Sequence, residues 1–179
     1  MTHEVAMMAR SRDDEIADLL LGRAAEAHRL AAWILRDPVG AEDAVQDAAL
    51  IAWNRRGSLR DAASADGWFS RIVVNVCRDE LRRRARKREL SAPDAVTWLS
   101  SDPGSDRVAE RDALGRAIAR LTPDQQVVLG LRFGRDLTVP QIAAETGLPE
   151  GTVKSRLHHS LEHLRAALAA EDRAAEALR

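Results

Sequence analysis

The sequence predicts an all-α protein of two small helical domains joined by a flexible linker, the second a helix-turn-helix four-helix unit. Apolar residues return at spacings of three and four through most of the chain, the period that gives a helix one buried stripe. Helix starts are marked by caps followed by proline, in Thr122-Pro123-Asp124-Gln125 and Thr138-Val139-Pro140-Gln141. Between these runs, Ser91 to Asp106 holds Pro93, Pro103, Gly104 and several Ser and Asp residues without sustained periodicity. The expected boundaries are therefore 1–90, 91–106 for the linker, and 107–179.

In the first domain, Glu15 to Leu35 reads as a long amphipathic helix with Ile16, Leu19, Leu20, Leu30, Trp33 and Ile34 as its apolar members, stopped by Asp37-Pro38. Ala41 to Arg55 begins a second helix, with Glu42 and Asp43 at its positive end and Gly57 closing it. Its buried row runs through Val45, Ala48, Ala49, Ala52 and Trp53, while Asp43, Gln46 and Asp47 form an outward acidic patch. No His or Cys lies near in sequence to complete a metal or catalytic site with these carboxylates. Asp66 to about Leu90 is the third helix, with Trp68, Ile72, Val73 and Val76 inward and Arg71, Asn75, Arg78 and Asp79 mainly outward. It ends in six cations between Arg82 and Arg88, whose mutual repulsion is relieved by a polyanion and whose phosphate contacts bring salt dependence rather than specificity.

In the second domain, Val108 to Leu121 is amphipathic through Leu114, Ile118 and Leu121, and Thr122 caps the next helix, whose apolar side is Val127, Val128 and Leu131. Thr138 opens a short helix that buries Ile142 and Ala143, Gly147 ends it in the left-handed conformation, and Pro149-Glu150 starts another. Val153, Leu157, Leu161 and Leu164 form the inward stripe of this last helix, which continues past Leu168. Lys154 with His158, and Ser155 with His159, project outward from its amino-terminal half. That is the half of a recognition helix that reaches base edges, where Lys, Ser and His can all donate hydrogen bonds. Gly151 and Thr152 lack bulk and let the helix end approach phosphates.

Composition fits two small domains: 179 residues, 45% hydrophobic, two Phe, no Tyr and a formal net charge of -1. A near-zero balance excludes a wholly basic nucleic-acid coat but allows basic faces for DNA beside acidic faces for protein. Cys77 cannot form an internal disulfide and is read as a packed thiol. The start lacks a signal-peptide core and no run approaches a membrane span, so a cytoplasmic protein without membrane insertion is expected.

LTPDQQVVLGLRF followed by LTVPQIAAETGLPEGTVKSRLHHSLEHLR resembles the promoter-binding domain of small bacterial sigma factors, most specifically in GTVKSRL. AEDAVQDAALIAWNR resembles the sigma helix that grips core RNA polymerase, and WFSRIVVNVCRDELRRR the minus-ten-binding segment. The resemblance, to the extracytoplasmic-function group of sigma factors, covers roughly four-fifths of the length. It implies polymerase contacts at Asp43, Gln46, Asp47 and Trp53, and minus-ten contacts at Arg71, Asn75, Arg78, Asp79, Arg82 and Arg83. It implies minus-thirty-five contacts at Gly151, Thr152, Lys154, Ser155, Arg156, His158 and His159. Asn75 stands in R-I-x-x-N-x-x-x-D, and its amide can read an exposed base. The loop Ser58 to Ala65, where the family holds a flipped base, lacks the common aromatic near Ala65.

The implied partners are core RNA polymerase, promoter DNA and an anti-sigma factor, with no cofactor, no metal site, no small-molecule substrate and no catalytic residue. One alternative is a helix-turn-helix regulator that binds DNA without polymerase, its first domain serving dimerisation or signalling. The remote alternative is a metal-dependent nucleic-acid-processing enzyme using Asp43, Asp47 or His158.

Overall fold

The structure, a computed structural model, describes residues 12–59, 64–90 and 106–176. Among the described residues seven α-helices run α1 Arg12–Leu35, α2 Pro38–Asn54, α3 Ala65–Leu90, α4 Asp106–Ala119, α5 Pro123–Leu129, α6 Val139–Thr146 and α7 Glu150–Glu176. The linker expected over 91–106 lies, except for Asp106, outside the described residues, as do positions 60–63 of the loop before α3.

Caps set the helix starts. Asp37 accepts a hydrogen bond from Gly40 N–H at 3.0 Å, and Pro38 fills the first turn of α2, where its missing N–H costs nothing. Thr122 and Gln125 form the reciprocal capping box of α5: Gln125 N–H donates to Thr122 Oγ1 at 3.3 Å, and Gln125 Oε1 accepts from Thr122 N–H at 2.9 Å. Gln141 Oε1 accepts from Thr138 N–H at 2.8 Å ahead of α6. Gly147, at φ 71°, ends α6 in the left-handed region, its N–H on Ala143 O at 2.9 Å.

In the first domain α1, α2 and α3 close around Ala27, Leu30, Ala31 and Ile34, the alanine row Ala41, Ala44, Ala48 and Ala52, and Phe69, Ile72, Val73 and Cys77. Small residues along α2 let its neighbours approach closely. The same core continues into the second domain through Val127, Val128, Leu131, Ile142 and Val153. A smaller cluster joins α4, α5 and α7 through Ala117, Ile118, Leu121, Leu129 and Leu164. The two helical domains are thus packed against each other, and α3 faces both: three consecutive residues, Ile72, Val73 and Val74, are buried, wider than a one-sided stripe allows.

Past Leu129 the chain widens into a π-type turn, Gly130–Gly134, against α1. A Cβ on Gly130 would stand 2.7 Å from Ile34 Cγ1, and one on Gly134 2.7 Å from the Trp33 ring. Glycine is therefore what lets the second domain sit this close to α1.

Three apolar expectations need correction. Trp33 is 42% exposed, Trp53 38% and Leu114 37%. Trp53 belongs to the outer face of α2, because Ala41, Ala44, Ala48 and Ala52 occupy the inner one. Trp33 and Leu114 line an apolar cavity of about 270 Å³ with Ile118, Leu129 and Phe133 instead of closing into the core.

Candidate nucleic-acid interface

The amino-terminal half of α7 is held by its inward stripe. Val153 is fully buried, Leu164 nearly so, and Leu157 and Leu161 half-buried, as their spacing requires. Ser160, which sequence reasoning passed over, is also fully buried, its hydroxyl donating to Arg156 O at 2.6 Å. That internal bond satisfies the polar group, so an i−4 serine passes as a core residue. With this face fixed, Gly151, Lys154, Ser155, His158 and His159 are exposed on the other side, and Thr152 is half-buried.

Arg156 behaves differently from its neighbours: its Nη2 lies 3.2 Å from Asp124 Oδ2 at the start of α5. On α3, Arg71, Asn75, Asp79, Arg82 and Arg83 are exposed, but Arg78 turns inward with its side chain 14% exposed. Arg78 Nε reaches Asp124 Oδ1 at 3.1 Å, its Nη1 donates to Asn75 Oδ1 at 3.2 Å, and Arg82 Nη2 lies 3.6 Å from the same carboxylate. Residues expected at two separate promoter surfaces therefore meet at one carboxylate. Burial lowers the Arg78 pKa from its usual value, with Asp124 opposing that shift.

The basic run is neutralised in part by the protein itself. Arg83 and Arg84 both pair with Glu80, and Arg84 Nη2 also reaches Asp37 Oδ2 at 2.9 Å. Burial acts to raise the Asp37 and Glu80 carboxyls, yet hydrogen bonds outweigh it, from Gly40 N–H and Arg84 at Asp37 and from Arg84 and Arg83 at Glu80, and leave both low. Arg84 is thereby tied into the helix packing, while Arg86 and Lys87 face outward.

Asp43, Gln46 and Asp47 are exposed together on α2, and Trp53 carries the Arg56 guanidinium 4.9 Å from its ring centroid. Cys77 is buried, which pushes its thiol up to about 12, so it stays protonated at neutral pH. Among the described residues, His158, His159 and Glu162 are the group whose ligand atoms, within 4.8 Å of one another, could hold a metal ion. All three are exposed, and Glu162 stands between the imidazoles at 3.3 Å and 3.4 Å. Among the described residues no helix is long and apolar enough to cross a membrane.

Comparison with known proteins matches two separate stretches of the chain. Residues 23–87 match the family described as Sigma-70 region 2, and residues 117–166 match Sigma-70, region 4. The chain is 34% identical to the RNA polymerase sigma-E factor of Streptomyces coelicolor over 150 residues, 84% of each chain. It is 33% identical over 171 residues to the ECF RNA polymerase sigma factor SigL of Mycobacterium tuberculosis, covering 90% of this chain and 96% of SigL. Among solved structures, the sigma factor RpoE of Bartonella quintana, in complex with the anti-sigma factor NepR, aligns with a TM-score of 0.63 at 23% identity, over 86% of this chain and 96% of that one. CnrH, in complex with the cytosolic domain of CnrY, aligns at 0.55 and 25% identity, over 87% of this chain and 88% of its own. With both conserved regions of the family matched and relatives aligned nearly end to end, the chain belongs to the sigma-70 family of RNA polymerase sigma factors, in its ECF group.

Proposed function

We infer that this protein binds core RNA polymerase and directs it to a specific set of promoters, the polymerase carrying out the chemistry. One observation carries the reading: region 2 and region 4 are both matched, over residues 23–87 and 117–166, and a regulator that binds DNA without polymerase needs only the second. In this reading the domains are 1–90 for polymerase and minus-ten binding and 107–179 for minus-thirty-five binding.

The exposed polar row of α7 supports promoter reading by Lys154, Ser155, His158 and His159, with Gly151 and Thr152 allowing close approach to phosphate. On α3, the exposure of Arg71 and Asn75 supports contact with an unpaired strand, and that of Arg82 and Arg83 supports contact with its phosphates. Asp43, Gln46, Asp47 and Trp53 share the exposed face of α2 proposed to meet polymerase, where an exposed apolar ring amid charge is the pattern of an interface anchor. An anti-sigma protein belongs to the same proposal, as does a cytoplasmic site of action.

Transcription in vitro with purified core polymerase on a promoter library tests the reading directly. Specific initiation is expected only when the chain is added, and unchanged start sites would overturn the proposal. Lys154→Ala with Ser155→Ala should abolish promoter choice while polymerase still co-purifies. Asp43→Lys with Asp47→Lys should do the converse, lowering recovery with core enzyme.

A further inference from the structure

Asp124 is the point where both promoter-facing surfaces are tied together. Its carboxylate receives Arg78 at 3.1 Å and Arg82 at 3.6 Å from α3, and Arg156 at 3.2 Å from α7. Three cations thus share one anion. The arrangement leaves donors over: among the described residues, Arg78 Nη2 and Arg156 Nη1 are buried without a hydrogen-bond partner. Such unmade bonds are costly, and a phosphate, with more acceptor oxygens and more charge than one carboxylate, would satisfy them better.

A second link closes the same seam from the other side. Arg135 donates to Glu145 at 2.9 Å and Ser70 at 2.7 Å through Nη1, and to Glu26 at 2.9 Å through Nη2, so one guanidinium of the second domain joins α1, α3 and α6. Gly130 and Gly134 pack on Ile34 and Trp33 between these polar links.

This closed arrangement cannot engage both promoter elements. Sites named minus ten and minus thirty-five are about 25 base pairs apart, or about 85 Å along B-form DNA at 3.4 Å per pair. A folded chain of this length has a radius of gyration of only about 16 Å. The stretch from Leu90 to Asp106, fully extended, reaches about 55 Å, which with the domains' own widths spans that distance once the seam opens.

We propose that Asp124 is an internal stand-in for a DNA phosphate, which holds the free protein closed with the promoter-binding arginines of both domains already engaged. DNA then competes with Asp124 for those arginines, and the free chain has little affinity for DNA. This rests on assigning α3 and α7 to the promoter.

The test uses the full chain as wild type, Asp124→Asn and Gly130→Ala. Asp124→Asn removes the stand-in charge. Gly130→Ala changes no charge and suits the local helical backbone, at φ -58° and ψ -43°, but drives a methyl into Ile34 across the seam. Small-angle scattering reads the size of each protein, and fluorescence anisotropy reads its affinity for a short mixed-sequence duplex at low salt. Wild type should be compact and bind weakly. Both variants should expand and bind about tenfold tighter, the gain expected when a closed state holding about nine molecules in ten is released.

Tighter binding by Asp124→Asn with no change in size would mean simple loss of repulsion and would overturn the proposal. So would expansion without tighter binding, or a wild type that is already extended. If Asp124→Asn fails to fold, Gly130→Ala alone decides by the same two readings. Neither reading involves polymerase, so failure to assemble with core enzyme would defeat the proposed function without touching these outcomes.

Discussion

Asp37 does two jobs with one carboxylate: it caps α2 through Gly40 N–H at 3.0 Å and holds Arg84 at 2.9 Å. The cap alone is worth about 1 kcal/mol, so Asp37→Ala, which also removes the Arg84 pair, should lower stability by at least that amount in urea unfolding, with the slope unchanged. Gly40 is fixed by the same site, because a Cβ there would meet both the Arg84 guanidinium and the Asp37 carboxylate. Cys77 makes the opposite case of a reactive group silenced by its surroundings. With its thiol pushed up to about 12, native protein should resist iodoacetamide at neutral pH, and modification should appear only with the unfolding transition. Rapid labelling of folded protein would contradict the buried assignment.

Among the elements, those with strong punctuation were legible in advance. Thr122-Pro123 and Thr138 announced α5 and α6, Gly147 announced the corner, and the Val153 to Leu164 stripe oriented α7, because caps and periodicity are local properties of the chain. The exposed polar rows of α7 and α2 followed from the same periodicity. What was not legible depends on packing partners far away in sequence. Trp33 and Trp53 looked buried because a tryptophan in an apolar row usually is, and only the alanine row of α2 shows which face is inside. Gly130 and Gly134 gave no sign of the π-type turn, since their role is to admit Ile34 and Trp33 from another helix. Nor could spacing show that Arg78 and Arg156, in different domains, share Asp124. For α5 the local logic is testable: Thr122→Ala removes one half of a capping box and should cost about 1 kcal/mol, read as a lower denaturant midpoint. An unchanged midpoint would mean that packing of Val127 and Val128 alone sets this helix.

For the molecule as a whole, acid should open the seam, and the sign follows from Glu26. Burial acts to raise its pKa, but hydrogen bonds and charge from Arg23 and Arg135 outweigh that and hold it below the ordinary carboxylate range. A carboxyl lowered in the folded state contributes stability that is fully present above its unfolded pKa, about 4.3, and is lost as pH falls through the lower folded value. At neutral pH Glu26 therefore supports the closed form, and below the ordinary carboxylate range its protonation releases Arg135 from α1 while Glu145 and Ser70 still hold the other end. Glu26→Gln mimics the protonated state at every pH. The wild type should expand in small-angle scattering as acid is added, before its helices melt by circular dichroism, whereas Glu26→Gln should be more expanded at neutral pH and show a shallower acid response. An identical acid response in the two proteins would remove Glu26 from the latch.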